Sequence, residues 1–139
     1  MAAATYLADT SVLVLQGRHS SVLDRYQRLL IDGRLGICQM VAMEFLNNAP
    51  DPQGYKTVWA ALQVHRWFDV TSAAMDRALE VHGQLGAISQ HRNFSLPDLI
   101  IAATAEQYGA TVLHYDSDYE RIAAVTGQPI EWVAPRGSL

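Results

Sequence analysis

The 139-residue chain has one cysteine, Cys38, one lysine, Lys56, and no long apolar run. A single cysteine excludes an internal disulfide and a cysteine-built zinc site, and it suits a reducing compartment. Within "LGICQM", Cys38 reads as a small buried hydrophobe. No stretch reaches the roughly 20 apolar residues of a membrane-spanning helix. The N-terminus lacks a basic n-region, and Asp9 interrupts the apolar stretch that a secretory signal needs. The expected location is therefore cytoplasmic, with no membrane partner. Low-complexity tracts, internal repeats and linkers are also missing, so one domain is expected over 1–139. Positive charge is scarce: 14 acids against 10 bases give a net charge of −4. By itself this argues against a broad nucleic-acid-binding face.

What is present is an ordinary globular composition, half hydrophobic and 17 % charged. Short apolar runs alternate with longer helical patterns. Strands are predicted over 5–8, 35–38, 67–70, 111–115 and 130–133. Helices are predicted over 20–33, 40–49, 55–65, 71 to about 89, 96–109 and 117–127, with 91–95 a loop. Pro50 and Pro52 should stop the helix that begins at Met40. Strands separated by helices imply parallel pairing in an α/β sandwich. In an open parallel sheet the ligand site lies beyond the carboxyl ends of the strands.

Four acids gather at that edge. Asp9 directly follows the first strand, and Asp116 directly follows "TVLHY". Asp98 lies in the first turn of the helix after the 91–95 loop. Glu44 sits among Met40, Val41, Met43, Phe45 and Leu46 in the helix after "LGIC". Each aspartate also has a local role open to it. Asp9 suits the N-cap of a helix opening at Thr10 or Ser11. "SLPD" (95–98) reads as a capping box with proline in the first turn; Asp116 and Asp118 in "DSDYE" suit caps of the last helix, with Ser117 and Glu120 a second box. Capping explains neither Glu44 nor the shared edge. Carboxylates at close range repel strongly, and they stay ionised together around a cation. Oxygen-only donors select hard ions, Mg²⁺ or Mn²⁺.

The stretches "LADTSVLV", "MEFLN", "LPDLIIAATA" and "LHYDSDYERIA" resemble, in order, the four acidic motifs of PIN-domain ribonucleases, most closely the VapC-type toxins of toxin–antitoxin pairs. The resemblance runs from about Tyr6 to Val133. It implies a PIN-like three-layer α/β/α sandwich around a central parallel sheet. It implies a Mg²⁺-dependent endoribonuclease, with Mn²⁺ as substitute, acting on structured RNA such as transfer or ribosomal RNA. It further implies a homodimer and a cognate VapB-type antitoxin. Carried over by position, Asp9, Glu44, Asp98 and Asp116 are the catalytic and metal-holding set. Asp118 is an auxiliary metal ligand, and Thr10 or Ser11 is the supporting hydroxyl. Tyr119 stands where phenylalanine is frequent, a departure expected to leave the chemistry untouched.

The expected reaction is metal-assisted phosphodiester hydrolysis, with Asp116 or Asp118 orienting the attacking water. Two Mg²⁺ ions would offset the net charge of −4. Arg92, ahead of Asp98, is the leading candidate for gripping RNA, followed by Arg18 and Arg121. Arginine suits phosphate because its planar fork donates two hydrogen bonds. His114, ending an apolar strand, reads as a packed residue rather than a catalyst. The stretch "YKTVWAALQVHRWF" offers a dimer or antitoxin surface, although core packing would give the same pattern. The alternative function is a catalytically inactive PIN-like binding module whose acidic pocket docks a partner's arginine.

Overall fold

A computed structural model describes residues 3–139; Met1 and Ala2, the first two positions of the expected domain, lie outside the described residues. Twelve elements follow one another. They are β1 (Tyr6–Ala8), α1 (Thr10–Gln16), α2 (Ser20–Ile31), β2 (Leu35–Ile37), α3 (Gln39–Leu46), α4 (Pro52–Leu62), β3 (Arg66–Trp67), α5 (Ser72–Ala87), α6 (Leu96–Gln107), β4 (Thr111–His114), α7 (Asp118–Thr126) and β5 (Ile130–Trp132). A short 3-10 turn, His91–Asn93, precedes α6.

The sheet order is β3-β2-β1-β4-β5, and every pair is parallel. Tyr6 pairs with Leu35 on one side and with Thr111 on the other, so β1 is the central strand. Strands flanked by neighbours and covered by helices on both faces carry apolar residues throughout. Leu7, Ile37, Val112 and Leu113 accordingly have at most 1 % exposure. Val12, Leu13, Val41, Leu85, Ile101 and Ile122 bring the helices onto them. Burying one such side chain contributes about 1.5–3 kcal/mol.

The helix limits follow local chemistry. Asp51 caps α4 by accepting from Gly54 N at 2.7 Å, and Pro52 occupies the first turn. Here the structure corrects the predicted 55–65 helix. Proline cannot continue α3, but its missing N–H costs nothing at a helix start, so the same residue opens α4. The predicted 67–70 strand also moves, to Arg66–Trp67. Phe68 N still donates to Ile37 O, but beyond it the Gln39 side chain takes over the backbone. Gln39 bonds both Asp69 Oδ1 and Val70 N, at 2.7 and 2.9 Å. At Gly36 of β2 a Cβ would lie 2.3 Å from the Phe68 ring and 2.9 Å from Arg66 O, which explains a glycine inside a buried strand. Among the described residues no helix is long and apolar enough to cross a membrane.

Candidate active site

The direction of winding reverses at β1. The chain lays β2 and β3 to one side of it, then crosses back to add β4 and β5 on the other. At such a reversal the following helices diverge and leave a crevice above the carboxyl ends of the two central strands. Asp9 leaves β1 at this point and Asp116 follows β4, its bonded neighbour.

Asp9 is 5 % exposed and fully engaged. Its backbone N–H donates to Leu113 O at 2.9 Å, extending the β1–β4 ladder by one bond. One carboxylate oxygen, Oδ2, accepts from Ser11 N at 3.2 Å and from Ser11 Oγ at 2.7 Å. The other, Oδ1, accepts from the Tyr119 hydroxyl at 2.7 Å. Asp9 is thus both the cap of α1 and a member of the acidic site. Ser11 Oγ in turn accepts from Tyr115 N at 3.1 Å, so one serine ties the end of β1 to the residue after β4.

Glu44 projects from α3 toward α1, where Thr10 Oγ1 donates to its Oε1 at 2.8 Å. The two hydroxyls beside Asp9 therefore divide their work, Ser11 holding Asp9 and Thr10 holding Glu44. Asp98 is the third residue of α6. The cap there is Ser95, whose Oγ accepts from Asp98 N at 3.2 Å, leaving the Asp98 carboxylate to face the crevice. Asp116 Oδ1 accepts from Asp118 N at 2.9 Å. That bond corrects the capping box expected at Ser117, whose side chain makes no cap bond.

The tightest acidic group is Asp98, Asp116 and Asp118, which offer carboxylate oxygens all within 4.8 Å of one another. Asp9 reaches this group through Tyr119, and Glu44 borders it through Thr10 and α1. At an effective dielectric of about 20, two full charges 4.8 Å apart repel by about 3 kcal/mol. Such a cluster answers by binding a proton or a cation. Burial, with Asp9 next in weight and Asp116 and Glu44 adding, pushes the Asp98 carboxyl up to about 7, against the opposing hydrogen bond from Ser95. Burial likewise raises Glu44, with the Thr10 hydrogen bond opposing and Asp9 adding to the rise. An all-carboxylate set with open faces suits a hard divalent ion, so the donor chemistry fits Mg²⁺ or Mn²⁺.

His114 lies beneath the acids, fully buried. Its ring packs on Tyr119 and Trp132, with centroids 5.0 and 4.9 Å away. Burial lowers its pKa and favours the neutral ring. Asp116 N donates to Nδ1 at 3.1 Å, which places the proton on Nε2. His114 therefore holds the backbone of Asp116 and is a packed residue, as its place in the strand suggested.

The three arginines stand differently. Arg121 pairs with Asp118 at 2.6 Å and stacks over Phe94 at 4.7 Å, so it borders the acids but is already committed. Arg92 is exposed in the 3-10 turn that leads into α6. Arg18 is exposed beyond the C-terminus of the seven-residue α1, a helix about 10 Å long with Asp9 at its other end.

A family model described as the PIN domain matches residues 6–125. The chain is 38 % identical over 136 residues to ribonuclease VapC18 of Mycobacterium tuberculosis, a match covering 96 % of this chain and 98 % of that one. It is 37 % identical over 134 residues to ribonuclease VapC51 of the same organism, covering 96 % of each. The chain belongs to the VapC-type PIN-domain ribonuclease family.

Solved members of toxin–antitoxin complexes share the architecture. VapBC2 from Rickettsia felis, bound to a promoter DNA fragment, matches with a TM-score of 0.76 at 16 % identity, covering 92 % of this chain and 98 % of the other. DNA-bound VapBC from Salmonella typhimurium matches with a TM-score of 0.76 at 17 % identity, covering 95 % and 100 %. At that identity the likeness concerns the fold. In this VapC-type chain the residue that sequence reasoning undervalued is Tyr119. Its hydroxyl, expected to be a bystander, lies between Asp9 and Asp98. A signal for it existed: Tyr119 is three residues past Asp116, one helical turn on, and a tyrosine facing a sheet needs a polar partner.

Proposed function

We propose that this chain is a metal-dependent endoribonuclease toxin that cleaves structured RNA, a transfer or ribosomal RNA, and is neutralised by a VapB-type antitoxin. The observation that carries the reading is the meeting of Asp98, Asp116 and Asp118 within 4.8 Å, beside Asp9 and Glu44, at the reversal point of the sheet. Asp98, Asp116 and Asp118 would hold the divalent cation, Mg²⁺ with Mn²⁺ as substitute, with Asp9 and Glu44 completing the set. When bound, that ion supplies neutralising charge at the scissile phosphate and a more acidic water. The chain's own residues do the rest. Asp116 or Asp118 takes the proton of the attacking water, since both lie on the open side of the cluster. Ser11 and Thr10 fix the carboxylates of Asp9 and Glu44 so that neither swings into the space the phosphate needs. Arg92 meets the RNA backbone, and Arg121 can exchange its bond with Asp118 for a phosphate oxygen.

Homodimerisation is supported by an apolar groove between α5 and α6, where Met75, Leu79 and Leu96 are 47 %, 70 % and 61 % exposed. A surface for the antitoxin is supported on α4, where Tyr55 and Trp59 lie exposed. The test is to induce the protein in cells and map new RNA ends, comparing wild type with Asp9→Asn. We expect discrete ends that fall by at least about 100-fold in the variant, since even the groups that only orient a metal-holding carboxylate are worth about 10–100-fold. Ends that persist unchanged, or no ends from the wild type, would overturn the reading, the latter in favour of a module that docks a partner's arginine.

A further inference from the structure

We propose that the Tyr119 hydroxyl is a positioning group of the acidic site, joining Asp9 to Asp98 and so setting how tightly the site takes a divalent cation. The inference rests on the function proposed above and deepens it. Tyr119 has no exposed surface, and its ring lies against His114. Its hydroxyl donates to Asp9 Oδ1 at 2.7 Å and lies 3.4 Å from Asp98 Oδ1. It is thus the group interposed between an acid from the end of β1 and an acid from the first turn of α6.

Packing does not demand this oxygen. A phenylalanine would fill the same space against His114. What the oxygen adds is a hydrogen between two carboxylates that otherwise face each other bare. Ser11 fixes only Oδ2 of Asp9, through its N–H and its hydroxyl. Among the described residues Oδ1 has no other donor, so without Tyr119 the Asp9 carboxylate is held at one oxygen only and the oxygen that faces Asp98 is left unaimed. Hydrogen bonds that orient metal-binding carboxylates are worth about 10–100-fold in affinity.

The experiment is a calorimetric titration of the full chain with Mn²⁺ alone, wild type against Tyr119→Phe, without RNA. We expect affinity for Mn²⁺ to fall about 10-fold. RNA cleavage by the variant should need more Mn²⁺ but return to the wild-type maximum when Mn²⁺ saturates. A purely structural role would lower the melting temperature and leave the affinity unmoved, which would overturn the inference. A cleavage rate that stays low at saturating Mn²⁺ would overturn it too, because the hydroxyl would then act on the reaction rather than on the ion. Wild type that takes up no Mn²⁺ would sink the proposed function itself, whereas equal uptake by both proteins sinks only the role of Tyr119. A second measurement needs no variant: Mg²⁺ titrated into wild type should give a near-ultraviolet tyrosine difference spectrum that saturates with binding. A flat spectrum with heat released would refute the contact.

Discussion

In metal-free protein at pH 8, Asp98→Asn should increase the unfolding free energy even though it removes a functional side chain. The folded chain holds the Asp98 carboxyl at about 7, against an ordinary 3.8. It therefore binds this proton more tightly than the unfolded chain does, and protonation favours the folded state. The stability that Asp98 permits is fully present below pH 4 and is lost as the pH climbs through about 7. A gap of about three pH units, at about 1.4 kcal/mol each, gives a penalty on the order of 4 kcal/mol at pH 8. Asp98 is only 9 % exposed, so solvent screening removes little of it. Asparagine keeps the shape and never ionises. Urea denaturation in EDTA at pH 4, 6 and 8 should find the two proteins alike at pH 4, with the variant ahead by about 2–4 kcal/mol at pH 8. Saturating Mn²⁺ at pH 8 should reverse the order, because the cation replaces the proton in wild type and finds one fewer charge in the variant. A gap between the proteins that is the same at pH 4 and pH 8 would refute the argument that Asp98 is held in a buried, crowded anionic site.

Gly36→Ala forces a methyl group to within 2.3 Å of the Phe68 ring, and the Arg66 carbonyl 2.9 Å away blocks retreat, so thermal denaturation should report a loss of about 1–3 kcal/mol. Cleavage per folded molecule should be little altered, since the clash lies within the β2–β3 pair and away from the acids. Ser11→Ala leaves Tyr115 N without its acceptor and Asp9 Oδ2 without its shorter donor. A loss of about 1–3 kcal/mol in chemical denaturation is expected, together with a weaker Mn²⁺ titration. An unchanged stability would mean that water replaces the hydroxyl at no cost.

Much of the fold was legible because its signals are local. The periodicity of "SSVLDRYQRLLIDG" marks α2, Gly127 at a φ of 73° ends α7, and the capping serine of "SLPD" opens α6. The errors came where one residue type serves opposite ends of a helix or where a distant side chain intervenes. Pro52, a stop for α3 by its sequence position, is the start of α4. The strand at 67–70 was cut short by the Gln39 side chain, about 30 positions away. Of the caps that "DSDYE" offers the last helix, the structure uses Asp116, which accepts from Asp118 N, and not the side chain of Ser117.

The sequence by itself determined that acids would stand at the carboxyl edge of a parallel sheet, because each follows a strand or opens a helix and that placement is a matter of chain direction. Only the tertiary structure decided which of them touch. Asp9 meets Tyr119 across 110 positions because β4 crossed back to lie beside β1, and Thr10 meets Glu44 across 34 because β2 pairs with β1 and sets α3 against α1. That adjacency is a property of the whole sheet's winding, and the few ångströms separating a repelling pair of carboxylates from a bridged one are set there, by side chains that no local pattern ties together.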